Sequence, residues 1–293
     1  MSSTVSSLAR IDVQRRLRQL LPRLVTWLLL AFLFLPLLVV VPVALTDRDY
    51  LSLPQHALSL AHFAALLDWD NGWLPSILTS AVVGVISSAL ATTLGASFAV
   101  GAWAAGGWWP SSMRLLLLSP LIVPPMIYTV AMVRLWSRLS LLDTYPGVIL
   151  VHVVLALPLV LLAVSASLAN LDPRLVQAAR SLGARPIRVV TRVIFPNIIP
   201  GIAAAALLAF VVSWDEITVT LFITARAVVT LPRRIWTSIA EAVDPALAAI
   251  ATVLLLVTIV ILVAHSWQST RTQRRAAHTN SALDNPLRQE IEA

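Results

Sequence analysis

Two adjacent carboxylates, Asp215 and Glu216, close a long apolar run, with Trp214 just before them and Trp236 further along. If that run crosses a bilayer, two acids at its end are costly unless paired or hydrated, and such residues commonly mark a pathway. One reading has at least one of them facing a translocation path and attracting a cationic solute. The other pairs them with Arg226, Arg233 or Arg234, or leaves them exposed at the interface. Neighbouring helical residues point about 100° apart, so both cannot face one lumen fully. Trp214 and Trp236 suit a path wall, where a ring face attracts an ammonium group, and equally suit interfacial anchoring. Other chemistry is sparse. His152 and His265 are lone histidines in apolar surroundings, better explained by packing or a hydrogen bond than by a metal. His56 and His62, near Asp68 and Asp70, lack a ligand spacing, so no metal site is expected. No GxxxxGK[ST] loop cradles a phosphate, so this chain is not expected to hydrolyse ATP. No nucleophile and base stand at a recognisable spacing, and no catalytic residue is assigned.

The acids stand out because the chain carries so few charges. Of its 293 residues, 58% are apolar and only 12% charged, against about 25% charged in a soluble domain. Mean hydropathy is +0.86. A soluble domain needs more polar surface, so the composition is that of a multispanning, all-α membrane protein. The absence of Cys excludes a disulfide scaffold and a Cys-rich zinc module. Net charge is +7, and all 21 basic residues are Arg. The resulting pI of about 11.2 reflects topology against this apolar background, and no nucleic-acid partner is expected.

A helix needs about 20 apolar residues to cross the hydrocarbon. Uncharged runs of that order extend from Leu24 up to Asp47 and over Gly72–Met113, Leu115–Val133, Thr144–Leu171, Val193–Trp214 and Pro245–Thr270. The second is read as one long helix, about 76–105, followed by a short interfacial segment at Trp108-Trp109-Pro110, which gives six spans. Arg placement supports that number. With the N-terminus inside, the inner segments hold Arg10, Arg15, Arg16, Arg18, Arg23, Arg114, Arg174, Arg180, Arg185, Arg188, Arg192, Arg271, Arg274, Arg275 and Arg288. The outer ones hold only Arg48, Arg134, Arg138, Arg226, Arg233 and Arg234. This bias follows the positive-inside rule and puts both termini in the cytoplasm. Residues 1–23 form a cytoplasmic segment, read either as a helix lying on the inner membrane surface, with Leu8, Ile11, Leu17, Leu20 and Leu21 on one face, or as a solvated basic tail. Residues 24–270 form the membrane domain. Residues 271–293, polar and containing Pro286, read as a disordered cytoplasmic tail.

The loop between the fourth and fifth spans, about 172–196, carries start and stop signals for a cytoplasmic helix–turn–helix. Asp172 can cap a helix that has Pro173 in its first position. Ala178 and Ala179 allow another surface to come close. Gly183 can end the helix in the left-handed conformation, and a second short helix can begin at Pro186. Leu175, Ala179 and Leu182 form an apolar stripe among Arg174, Arg180, Arg185, Arg188 and Arg192. The spacing Gln177-Ala178-Ala179, three residues, Gly183, nine residues, Val193, one residue, Phe195-Pro196 resembles the EAA loop of bacterial ABC importer permeases. The departures are Gln177 for Glu, Val193 for Ile and Phe195 for Leu; the first removes a charge.

The resemblance extends over roughly residues 25–268. It includes Pro120-Leu-Ile-Val-Pro-Pro125, His152 to Pro158, Ser181 to Ala184, Ser213-Trp-Asp-Glu-Ile217, Thr220-Leu-Phe222, Thr230-Leu-Pro232, Ile235-Trp236 and Asp244 to Ala248. These segments are similar to the spermidine/putrescine-type branch. The resemblance implies six transmembrane helices of the type I ABC importer permease fold, in a bacterial inner membrane. It implies import of a polyamine or similar small organic solute. It also implies two ATPase subunits that hold the ATP and Mg, a second permease subunit or a second copy of this chain, a periplasmic or lipid-anchored solute-binding protein, and surrounding lipid. Gln177, Ala178, Ala179, Arg180, Leu182, Gly183 and Pro196 would then couple the membrane helices to the ATPase. Two other classes compete with this reading. A self-contained secondary transporter or channel would call for an internal repeat or several charges within its spans. A membrane enzyme would call for clustered His, Asp or Glu near one face.

Overall fold

The computed structural model describes residues 2–241, 244–264 and 266–267, with side chains from Leu20 onward. Every regular element among them is helical. In chain order they are α1 (Ser2–Ala44), α2 (Ala61–Leu67), α3 (Trp73–Ala105), α4 (Trp108–Leu118), α5 (Pro125–Arg138), α6 (Tyr145–Ala169), α7 (Pro173–Ser181), α8 (Pro186–Val189), α9 (Phe195–Asp215), α10 (Thr218–Ile223), α11 (Leu231–Glu241) and α12 (Ala246–Ala264). The chain divides into two compact units, residues 67–241 and residues 1–66 with 242–293.

In the second of these units, α1 runs without a break through the N-terminal segment and into the first span. The side chains before Leu20, on which the interfacial-helix reading depends, lie outside the described residues, as do His265 and the tail 271–293. Along α1 the large apolar side chains are exposed, Trp27 at 72% and Phe32 at 76%. A backbone satisfied within its own helix and an apolar exterior suit lipid.

The core of residues 67–241 is a bundle of α3, α6 and α9. Ala91, Ala99, Ala156, Val160, Leu161, Val164, Ile198, Ala205 and Ala209 are buried in one cluster. Helices inside a bilayer gain little from the hydrophobic effect between themselves, so close packing and small residues hold them. At Gly201 on α9 an added Cβ would lie 2.4 Å from the Ser167 Cβ on α6, so only glycine permits that crossing. Hydroxyls add bonds between elements: Ser87 Oγ donates to Ile149 O (3.3 Å), and Ser80 Oγ accepts the Leu231 N–H that opens α11 (2.7 Å).

Among the described residues, five helices are long and apolar enough to cross a membrane, and a sixth candidate is the bent pair Trp108–Leu121 and Pro125–Arg138. The expected third span, Leu115–Val133, is thus not one straight helix. Its two arms meet at 101°, and the expected interfacial segment at Trp108 is the start of the first arm. The cause is local. Pro120, Pro124 and Pro125 remove three N–H donors; Ser119 keeps helical angles before Pro120, whereas Pro124, before Pro125, takes an extended ψ of 138° and breaks the helix. The neighbouring span α6 carries Pro158 inside it and starts cleanly: Thr144 Oγ1 accepts the Gly147 N–H (3.2 Å), with Pro146 in the first turn.

Candidate functional site

The loop after α6 is built as its residues suggest. Asp172 Oδ1 accepts the Arg174 N–H at 2.9 Å, and Pro173 opens α7, where a missing donor costs nothing. The helix closes at Gly183, whose φ of 77° is left-handed. Gly183 N–H donates to Arg180 O (2.9 Å) and Ala184 N–H to Ala179 O (3.1 Å). This pair of bonds, with Ala184 and Ala179 both packed against the core, is the Schellman stop. A second helix begins at Pro186. It continues through one wide turn, Val190–Ile194, into α9. Pro196, the last residue of the family spacing, follows that turn directly; it cannot donate, and Asn197 Nδ2 donates to Val193 O at 2.6 Å. The whole stretch Pro186–Asp215 is therefore one helical rod leading from the loop across the bundle.

Val176 is the anchor. It is 5% exposed and shares the core cluster with Leu168, Leu171, Val189, Ile194 and Ile198. The expected stripe of Leu175, Ala179 and Leu182 divides accordingly. Ala179 packs inward with Val176, whereas Leu175 is 46% and Leu182 88% exposed. α7 is nine residues long, so one pair of positions is enough to seat it. Gln177, Ala178, Arg180 and Gly183 are exposed, and Ile187 adds apolar surface beside them. The outward face thus combines Leu182, Ile187 and a small-residue step at Ala178 with basic residues around it.

At the other end of the rod the helix breaks. Glu216 takes an extended ψ of 113°, and α10 starts two residues later. Glu216 is half-buried, and its Oε1 accepts the Val219 N–H at 2.8 Å, so the carboxylate caps α10. Asp215 is exposed. Trp214 stacks on Phe210 (centroids 5.7 Å, 30° between planes), which fixes its ring by packing. Trp236 is 51% exposed on α11. Two of the three arginines considered as partners for the acids are engaged elsewhere. The Arg233 guanidinium donates to Thr224 Oγ1 and to Ala225 O (2.8 Å). Arg234 donates to Asn71 O (2.8 Å) and lies over the Trp73 ring (5.5 Å).

Two residues at this end carry more than their sequence context suggests. His152 is 1% exposed; its Nδ1 lies 2.7 Å from Ser213 Oγ and its Nε2 3.0 Å from Thr220 Oγ1. It is a packed, hydrogen-bonded histidine. The signal was present in the family segments His152–Pro158, Ser213–Ile217 and Thr220–Phe222, but nothing in them says that they meet. Asp143 has a positive φ of 54°. Its carboxylate accepts the backbone N–H groups of Ala225 (2.8 Å), Arg226 (2.9 Å), Ala227 (3.0 Å) and Val228 (3.2 Å). Partial burial pushes its pKa up, but the four donors outweigh this and hold it at about 2. His56 and His62 are engaged separately: His56 Nε2 lies 2.8 Å from the Arg48 guanidinium, and His62 Nε2 3.1 Å from Arg48 O. Where α4 bends toward α5, a cavity of about 220 Å³ lies against α6, lined by Tyr128, Met132 and Leu155 among others.

Known proteins place this architecture. The spermidine/putrescine transport system permease protein PotC of Escherichia coli (strain K12) is 24% identical over 80% of this chain and 88% of its own. The putrescine transport system permease protein PotI of the same strain is 27% identical over 64% and 69%. The trehalose transport system permease protein SugB of Mycobacterium tuberculosis is 30% identical over 54% and 58%. A solved structure of a bacterial ABC transporter involved in the import of the acidic polysaccharide alginate superposes with a TM-score of 0.63. It covers 86% of this chain and 96% of that one at 14% identity, a likeness of fold. The family described as binding-protein-dependent transport system inner membrane component matches residues 93–274. That is more than half of the chain, and the protein belongs to this family, the permease components of ABC importers.

Proposed function

We propose that this chain is a permease subunit that imports a polyamine, or a similar small cationic organic solute, driven by ATP hydrolysis on partner subunits. The observation that carries the reading is the cytoplasmic loop. α7 is capped at both ends, anchored by Val176, and presents Gln177, Ala178 and Leu182 outward. A rigid capped helix transmits a displacement, and here it leads through Pro186–Asp215 to the break that carries Asp215 and Glu216. In this reading two ATPases, which bind the ATP and Mg, dock on the loop. A second permease subunit or a second copy completes the path, and a solute-binding protein delivers the solute. Both termini are cytoplasmic, so the acids lie towards the outer side, about 22 Å beyond Pro200 at 1.5 Å per residue. There they favour a cation entering from outside.

The polyamine relatives support the cationic solute, and they cover more of this chain than the trehalose relative does. The trehalose permease favours a second reading, a neutral sugar. The test is uptake of labelled spermidine, putrescine and trehalose by the assembled importer in liposomes, with and without internal ATP. Spermidine or putrescine uptake that requires ATP is the expected result. Trehalose uptake alone supports the second reading, and uptake without ATP supports a secondary transporter or channel.

A further inference from the structure

The break between α9 and α10 has a single buried imidazole at its centre. His152, on α6, lies seven residues from Tyr145 at the start of that helix, about 10 Å along its axis. It reaches Ser213 on one side of the break and Thr220 on the other. Thr220 Oγ1 in turn donates to the carbonyl of Glu216 at 3.4 Å. One proton arrangement satisfies all three contacts with a neutral ring: Ser213 O–H donates to Nδ1, Nε2–H donates to Thr220 Oγ1, and the Thr220 hydroxyl donates to Glu216 O. The other neutral tautomer spends the Thr220 proton on the ring and leaves the Glu216 carbonyl without it. The chain Ser213–His152–Thr220–Glu216 thus ties both sides of the break to α6.

We propose that His152 is a positioning residue for the acids of the solute path, acting through the backbone of Glu216. The proposal rests on the reading that Asp215 and Glu216 face a cationic solute. Thr220 is fully buried and Ser213 5% exposed, so neither hydroxyl has water as a ready substitute, and loss of the ring leaves Ser213 without its partner and Thr220 with the Glu216 carbonyl but no tie to α6. Glu216 already uses one oxygen to cap α10. A change in the break angle thus moves cap and charge together.

The chain contains no cysteine, so Asp215→Cys gives it a unique thiol. In the assembled importer, this thiol is reacted with a cationic and a neutral methanethiosulfonate reagent of similar size. The ratio of the two rates reads the negative field of Glu216 at that point, and damage that merely opens the structure raises both rates and leaves the ratio alone. In this background Glu216→Gln is expected to lower the cationic-to-neutral ratio about threefold or more, and His152→Ala to do the same. His152→Gln, whose amide can both accept and donate, is expected to keep most of it. In parallel, with Asp215 intact, His152→Ala is expected to cut spermidine uptake about tenfold, and Thr220→Val severalfold; the double variant should do no worse than His152→Ala alone. If Glu216→Gln lowers the ratio and His152→Ala does not, the positioning role is overturned and the acid-path reading stands. If Glu216→Gln changes neither ratio nor uptake, the acid-path reading fails and takes the proposal with it. Should His152→Ala fail to assemble, the isosteric Thr220→Val carries the same comparison: an unchanged ratio there overturns the proposal.

Discussion

The two ends of the rod Pro186–Asp215, inner and outer in the proposed orientation, are both interruptions of a helix, and they are held by opposite means. At the inner end local contacts do the holding: an Asp cap, a glycine stop and one wide turn, all within a single stretch of chain, with Val176 as the apolar anchor. Its outer surface is left free, with Leu182 and Ile187 exposed. At the outer end the holding is done by side chains from distant parts of the chain. His152 on α6 grips both sides of the break, and Asp143, in the turn before α6, accepts four successive N–H groups from the segment after α10. The difference suits the two tasks that the proposed function assigns to them. An inner end that is stiff in itself and apolar outside can be pushed by another protein. An outer end cross-linked by polar contacts keeps charges in place while the rod moves.

Breaking the inner end is expected to have the largest effect. Gly183→Pro places a residue restricted to a φ of about −65° where the chain has 77°, so the Schellman stop cannot form. Spermidine uptake is expected to fall at least tenfold, while membrane insertion, read by protease protection, is unchanged. Uptake at the normal rate would remove the loop from the coupling route. Ala178→Glu tests the exposed face rather than the fold: α7 should form, and uptake should still fall severalfold because a bulky charge occupies the closest-approach position.

Breaking the outer end at its periphery is milder. Asp143→Asn leaves at most one oxygen for four N–H donors. It is expected to cost about 1–3 kcal/mol locally and to speed hydrogen exchange at Ala225–Val228 without altering exchange in α7. Equal acceleration in both regions would show that they are not held independently. The pH dependence has a definite sign. The carboxyl of Asp143 is held low, at about 2, so the clasp contributes its full stability above the ordinary Asp value of about 3.9 and loses it as pH falls towards 2. Exchange protection at 225–228 should therefore be flat from pH 5 to 8. A loss of protection near pH 6 would contradict the assignment. The smallest effect is expected for Gln177→Glu, which restores the family's charge on an exposed surface; uptake should change by no more than about twofold, as exposed charge pairs contribute little.

The same contrast explains what could be read in advance. Every device of the inner end is contiguous, so Asp172-Pro173, Gly183 and Pro186 announced a capped helix, its stop and the next start. The wide turn Val190–Ile194 escaped, and so did the inward choice of Val176 over Leu175 and Leu182, because both patterns fit a helix of that length. The outer end is assembled from residues far apart in the chain. His152 meets partners 61 and 68 positions away, and Asp143 meets backbone groups 82 to 85 positions away. No periodicity or spacing encodes such a meeting. The acids themselves were legible from the low charge of the chain, whereas the cap that Glu216 forms for α10 depends on a helix break that no residue there announces. The bend in the third span was half legible: Pro120, Pro124 and Pro125 were visible, but a bundle can also absorb prolines in a continuous helix, as α6 does with Pro158.

The most direct test of the central claim measures ATP hydrolysis and spermidine uptake together, in liposomes that hold the assembled importer with its binding protein and internal ATP. The native chain is expected to take up spermidine only when ATP is hydrolysed. The Gly183→Pro chain is expected to retain its partners and to lose uptake together with the solute-stimulated part of hydrolysis. Spermidine uptake by the Gly183→Pro importer equal to that of the native one, or native uptake that proceeds without ATP, would contradict the account.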